Sequence, residues 1–397
     1  MARLAQREQR VGGFQVMDLI AEGQRLMREG ADVIHLEVGE PDFPTPPLVV
    51  EAAHRALDSG HTRYTPSSGL PGLQDALADF YRRRYGIELA PERFILTPGA
   101  SGALQVVLAL MLDPGEEILL PEPGYPCNRN ISSLLDIRTR CAPLDAASGF
   151  DLTPGWLARH WRAETRALLV SSPANPTGKV LDERGLAVLI DWCQERDAHL
   201  LVDEIYHGLV HDRAHTPTVL ELDPDRAWVV NSFSKYFGMT GWRLGWAVVP
   251  EFAVDAANRL VQNLFLAPPT LAQHAALRAL KSDMDEEYEE RRAVFRGRRD
   301  VLLQGLEALG FSLPAGGEGA FYLYADVSHT GMSAWDFSHR LLADYHVATT
   351  PGNDFGGASP QHYVRFAYTC DVERLRQALE RIGQFMAETG ADQDGSR

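Results

Sequence analysis

Ser232-Phe233-Ser234-Lys235-Tyr236-Phe237-Gly238-Met239-Thr240-Gly241-Trp242-Arg243 follows the short apolar run Trp228–Asn231 and sets one lysine among hydroxyl-bearing and glycine residues, with an arginine at its end. A lysine held partly out of water binds its proton less tightly, and its neutral amine condenses with an aldehyde to give a Schiff base. Ser232, Ser234 and Arg243 bring the hydrogen bonds and charge that hold a phosphate. The stretch reads as a cofactor loop at a strand end, and the fold it requires is a sheet whose other strand ends gather polar residues around it.

Such a sheet is legible upstream. Arg93–Thr97, Glu117–Leu120, Ala167–Ser171, His199–Asp203 and Trp228–Asn231 are apolar runs of strand length, while Gly102–Leu112 and Glu183–Arg196 carry apolar residues at helical spacing. Continuous apolar strands alternating with helices predict an α/β fold with a mostly parallel central sheet, and ligands gather at the carboxyl ends of such strands. From about residue 284 the texture changes to Asp/Glu/Arg-rich helix followed by alternating strands and helices. The expected division is a large domain over 46–283 and a smaller α+β domain from 284–397 joined by the N-terminal arm 1–45. The tail 390–397 is polar and expected to be mobile.

With 397 residues, 45% hydrophobic and 23% charged, the chain can bury a large core. A net charge of -16 and the lack of any Lys/Arg block argue against nucleic acid and anionic membrane surfaces as partners. No apolar run approaches the ~20 residues of a membrane span, and Met1–Arg10 lacks the apolar core of a secretion signal, so the expected compartment is cytoplasmic. Cys127, Cys141, Cys193 and Cys370 are scattered, without CxxC spacing or a nearby His pair. They are expected to be buried free thiols, with neither a disulfide framework nor a metal site.

The polar residues at the strand ends suit a flat, phosphorylated cofactor. Asp203 ends His199–Asp203 and precedes Glu204-Ile205-Tyr206. A carboxylate buried there needs a cationic partner. A protonated pyridine nitrogen is one, and the pairing keeps the ring able to accept electrons. Tyr206 can donate its phenol to the oxygen of that ring. Asn175, between prolines in Ser172-Pro173-Ala174-Asn175-Pro176-Thr177-Gly178, can donate its amide to the same oxygen.

Thr97-Pro98-Gly99-Ala100-Ser101-Gly102 joins a strand to a helix, so the free N–H groups of the first turn face an anion-sized space, with Ser101 and Arg243 as further donors. Tyr125, after Glu117–Leu120, can stack on a flat ring. Arg365 is the one charge inside the apolar run His362–Ala367; it forks onto a substrate carboxylate, or else faces water from an edge strand. Gly39 lets backbone approach the same end of a substrate. Taken singly, each feature has an ordinary explanation as a surface lysine, a helix cap, a common turn or a loop aromatic.

Taken together and in this order, they make the chain resemble a class I/II aminotransferase of fold type I, dependent on pyridoxal 5'-phosphate, from about Val11 to Phe385. The resemblance implies that Lys235 is the Schiff-base lysine and proton shuttle, Asp203 pairs the pyridine nitrogen, and Tyr206 with Asn175 holds the ring oxygen. It implies that Tyr125 stacks on the ring and that Ala100, Ser101, Ser232 and Arg243 take the phosphate. Arg365 then takes the substrate α-carboxylate, assisted by Gly39 and Asn175. Tyr64, in Arg63-Tyr64-Thr65-Pro66-Ser67-Ser68-Gly69, resembles the tyrosine that reaches the phosphate of a neighbouring subunit, which implies a homodimer.

The implied reaction moves an amino group between an L-amino acid and a 2-oxo acid. Relatives that prefer dicarboxylic substrates add a cation for the side-chain carboxylate, but neither Leu260–Leu277 nor Gly102–Leu112 contains Lys or Arg. Phe14, Met17 and Phe321 instead point to a pocket for neutral or apolar side chains. Two alternatives share the site. One is a C-S β-lyase, which differs only in the fate of the α-carbanion. The other is a cofactor-binding regulatory module, which would carry a preceding DNA-binding segment and a more basic charge.

Overall fold

The computed structural model describes residues 4–213 and 215–394. Seven strands form one sheet in the order Phe94–Thr97, Gly245–Val248, Trp228–Ser232, His199–Asp203, Thr165–Ser171, Glu117–Glu122, Arg138–Pro143. From Trp228–Ser232 to Arg138–Pro143 neighbours run parallel; Gly245–Val248 runs antiparallel to both of its neighbours. The five sequence-predicted strands are present, most of them one or two residues longer at an end, and two more flank or enter the sheet. Arg138–Pro143 (RTRCAP) is polar and mostly exposed because an edge strand needs no apolar run on its open side.

The central strands read as unbroken apolar runs because successive side chains bury into opposite faces. Leu168, Val170, Leu200, Val202 and Val229 join one core cluster, whereas Ala167, Leu169, Leu201, Trp228 and Val230 join the other. Helix Gly99–Met111 covers the second face. Helices Pro71–Tyr85, Glu183–Gln194 and Thr270–Ala279 cover the first.

A second, antiparallel sheet holds Thr350–Pro351, Tyr363–Ala367 and Tyr322–Asp326. The N-terminal segment is tied to this part by a parallel pairing of Ile34–His35 with Val347–Ala348. Segment 39–46 then passes between the lysine loop and helix Asp285–Ala308. Arg298 donates to both oxygens of Asp42 at 2.6 and 2.8 Å, Arg291 donates to the Pro44 carbonyl, and the Thr45 hydroxyl donates to the Gly238 carbonyl.

One sequence-based expectation is corrected here. Of the four thiols only Cys193 is buried; Cys127 and Cys370 are half-buried, and Cys141 is exposed because it sits on the edge strand. The last helix runs Val372–Asp394 into the tail, and residues 395–397 lie outside the described residues. Among the described residues no helix is long and apolar enough to cross a membrane.

Candidate active site

Strand register brings the polar residues together. Ser171 lies opposite Asp203, and Ser232 opposite Gly245, which in turn pairs with Thr97. Their carboxyl ends open on a cavity of about 350 Å³ that is roofed by the second sheet and the N-terminal segment. Its walls include Phe14, Gly39, Ala100, Ser101, Tyr125, Asn175, Asp203, Tyr206, Ser232, Lys235, Arg243 and Arg365. A larger neighbouring cavity, about 630 Å³, shares Tyr125, Ser171 and Asn175 with it but contains neither the lysine nor the buried carboxylate. The chemistry belongs to the smaller one.

At one end of the cavity is an anion cradle. Helix Gly99–Met111 starts without any side-chain cap, so its first N–H groups are left for an outside acceptor. Gly99 has φ +72°, and a Cβ there would lie 2.6 Å from Arg243 Nη2; one at Gly245 would lie 2.7 Å from the Ala100 nitrogen. Glycine at both positions lets the arginine and the helix terminus converge on one spot. The Arg243 guanidinium donates to the Thr240 carbonyl at 3.0 Å and has no carboxylate partner among the described residues. The Ser232 and Ser234 hydroxyls, 2.9 Å apart, complete this end.

Deeper in lies Asp203, 3% exposed, which accepts one hydrogen bond from the Ile205 N–H at 3.2 Å. No cation among the described residues is within ion-pair distance. Burial, opposed by that N–H and by the charge of Lys235, pushes its carboxyl up to about 7. A buried acid in this condition lacks a positive partner. Lys235 Nζ donates to the Gly39 carbonyl at 2.6 Å. Burial holds its amine down at about 8, against the attraction of Glu40 and with added repulsion from Arg365 and Arg243.

At the opposite end, Arg365 is 6% exposed and not the water-facing edge residue that a strand arginine often is. It lies across the strand pair from Thr350, and its guanidinium donates to Asn175 Oδ1 at 2.9 Å, the Glu37 carbonyl at 2.7 Å and the Thr350 hydroxyl at 3.2 Å. None of these acceptors is a carboxylate, so a desolvated cation is presented to the cavity. Since Asn175 receives through its carbonyl oxygen, its amide N–H groups remain free to donate.

Two residues expected in the pocket do not line this cavity, and Tyr64, expected to reach a second copy, lies on the surface. Phe321 is fully buried and packs edge-on against the Tyr206 ring, with its centroid 5.9 Å from Lys235 Nζ. Met17 is 55% exposed; on helix Val16–Arg28 it is Val16 and Ile20, one turn apart, that face inward. Tyr64 is 81% exposed on the surface of the single chain.

Other wall residues gave no sequence signal: Glu37, Val38, Leu104, Tyr322, Thr350, Asp354 and Phe355. Asp354 accepts the backbone N–H groups of Gln15 and Val16 at 2.7 and 3.0 Å and so fastens the N-terminal segment over the opening.

Comparison with known proteins gives the family. The sequence model of the family aminotransferase class I and II matches residues 31–382. The valine–pyruvate aminotransferase of Mycobacterium tuberculosis is 37% identical over 373 residues, 94% of this chain and 96% of that protein. The aspartate/prephenate aminotransferase of Thermus thermophilus is 36% identical over 391 residues, 97% and 99% of the two chains. A crystal structure of an aminotransferase from M. tuberculosis superposes with a TM-score of 0.94 at 37% identity, covering 98% of this chain and 100% of the other. By the family model and these relatives, this chain belongs to the class I and II aminotransferases.

Gly39→Ala tests the crowding at the arginine end. The added Cβ would stand 2.8 Å from Tyr322 Oη, at the end of a rigid buried ring, and 3.9 Å from Arg365 Nη2. The variant is expected to raise KM for amino and oxo acids alike by roughly tenfold with a smaller change in kcat. Steady-state kinetics with two chemically different donors checks this.

Proposed function

We propose that the cavity holds pyridoxal 5'-phosphate and that the enzyme transaminates L-amino acids with neutral or apolar side chains against a 2-oxo acid. The carrying observation is the line of three groups: a buried carboxylate without a cation, a lysine whose proton is loosely held, and a buried arginine without an anion. The donors at hand suit such a group. Uncapped N–H groups, Ala100, Ser101, Ser232 and Arg243 would take the phosphate, Asp203 the ring nitrogen, Tyr206 and Asn175 the ring oxygen, and Tyr125 the ring face. When bound, the cofactor supplies an aldehyde for the amino group and a pyridinium ring that spreads negative charge from the α-carbon.

The remaining work falls to side chains of this protein. Lys235 would hold the cofactor through its amine, and that amine, when free, would carry the proton at the substrate α-carbon. Arg365 grips the α-carboxylate, with Asn175 and the Gly39 backbone beside it. Tyr64 is assigned to the phosphate of a second copy, which makes the working unit a homodimer; its exposure in the single chain is compatible with that. The division into 46–283 and 1–45 with 284–397 and a cytoplasmic location complete the reading.

Support for neutral donors comes from the walls. Phe14, Val16, Ile20, Val38, Leu104 and Phe355 are apolar, and the cations among the described wall residues, Lys235, Arg243 and Arg365, are each assigned elsewhere. Asp354 would repel a second carboxylate. A relative named for valine fits this reading, and one named for aspartate and prephenate opposes it. An unpaired side-chain carboxylate costs several kcal/mol, so kcat/KM for valine, methionine or alanine should exceed that for aspartate by at least about tenfold with one saturating oxo acid. If aspartate is best, a cation from a second subunit must enter the pocket and the neutral assignment is wrong.

A further inference from the structure

Tyr322 is 1% exposed, lines the cavity, and touches both Tyr206 and Arg365. Its hydroxyl lies 2.9 Å from the Tyr206 hydroxyl, and its ring lies under the Arg365 guanidinium, whose central carbon is 4.3 Å from the ring centroid. The Phe355 ring stands farther off, 5.0 Å from the same carbon, and the hydrogen bonds of the guanidinium are at its edge. The Tyr322 ring therefore forms the floor that keeps the fork in plane.

The hydroxyl pair carries more information than its distance. Each phenol has one proton, and the hydrogen bond between them uses one of the two. If Tyr206 donates into the cavity, it has no proton left for Tyr322, so Tyr322 must be the donor between them. Donation into Tyr206 Oη polarises the Tyr206 O–H and makes it a stronger donor in turn. Burial raises the proton affinity of both phenols, which keeps each one protonated as this chain of donors requires.

We infer that Tyr322 is a positioning residue with two separable duties: its hydroxyl sets the proton direction and donor strength of Tyr206, and its ring holds Arg365 flat for the substrate carboxylate. This rests on the assignment of Tyr206 to the cofactor ring oxygen. With the cofactor bound, donation from Tyr206 to that oxygen would draw electron density from the ring and weaken proton binding at the amine nitrogen of Lys235.

The experiment uses the cofactor-loaded enzyme and titrates its visible absorption band with pH. Tyr322→Phe keeps the ring and removes the donor, so the midpoint should rise by about half a pH unit, in the same direction as in Tyr206→Phe but by less. In the double variant the Tyr322 change should add nothing. KM for any donor should stay within about twofold for Tyr322→Phe, whereas Tyr322→Leu, or Tyr322→Met should leucine not fold, should raise KM roughly 3- to 30-fold for amino and oxo acids alike. An unchanged midpoint in Tyr322→Phe with a shifted one in Tyr206→Phe overturns the relay alone. Unchanged midpoints in both overturn the Tyr206 assignment and the relay with it, and an unchanged KM in the ring-deleted variant overturns the floor.

Discussion

Lys235→Ala is expected to abolish transamination, a fall in kcat of at least about 10⁴-fold, while leaving a folded protein that still takes up the cofactor without a covalent link. The two halves of this result come from different residues. Folding and retention depend on the uncapped helix Gly99–Met111, Arg243, Asp203 and Tyr125, none of which the substitution touches. Both the linkage and the proton transfer at the α-carbon need a primary amine at this point, and the hydrogen bond from Nζ to the Gly39 carbonyl shows where it is held. Lys235→Arg should fail equally, since it restores charge but not a nucleophile. The wild-type amine adds a pH signature. With the amine at about 8, its neutral fraction reaches one half near pH 8 and not near the ordinary lysine value of ~10.4. The rate at which cofactor-stripped enzyme forms the covalent link should therefore rise through pH 8 and level off above it. Residual turnover near wild type in the alanine variant, or a midpoint near pH 10, would remove Lys235 from this role.

The sequence reading and the structure part company at particular residues, and the reason is geometric each time. Strand ends were readable because a buried strand is continuous in apolar residues and its first polar residue marks the exit, as at Asp203, Ser171 and Ser232. What lies on the roof was not. Phe321 and Tyr322 are adjacent in an aromatic run, and an offset of one position turns a side chain from the cavity to the core. Composition favours neither residue: Tyr322 lines the cavity, and Phe321 packs into the core with its ring 5.9 Å from Lys235 Nζ. Met17 failed by the same logic on a helix, one position away from Val16. The strand Arg138–Pro143 stayed hidden because its open edge is polar. Thr350 and Asp354 act through contacts to Arg365 and to the N-terminal segment that span more than 300 residues in the case of Asp354, and no local pattern encodes a partner so distant.

Asp203→Asn should lower kcat by roughly 10³-fold or more and yet stabilise the cofactor-free protein, a combination that a merely structural carboxylate could not give. The amide keeps the shape and can accept the Ile205 N–H, but it cannot hold a ring nitrogen in its protonated state, so the ring loses its capacity to take up charge from the α-carbon. The stability arm follows from the sign of the shift. In the folded chain the Asp203 carboxyl sits at about 7, above its unfolded value of ~3.9. Below pH ~4 it is protonated in both states and contributes no pH dependence. Between ~4 and about 7 the unfolded chain gives up the proton and the folded chain keeps it, so stability falls as pH rises; above 7 the full cost of a buried charge persists. The asparagine variant lacks this loss. Thermal melting of cofactor-stripped protein should therefore show the variant gaining on wild type as pH rises from 4 to 7, with the gap constant at pH 8. Saturating cofactor should close the gap, because wild-type Asp203 then has its cationic partner and the variant has none. If the variant instead melts lower at pH 8, the carboxylate is already paired within the protein and its proposed partner is not a ring nitrogen.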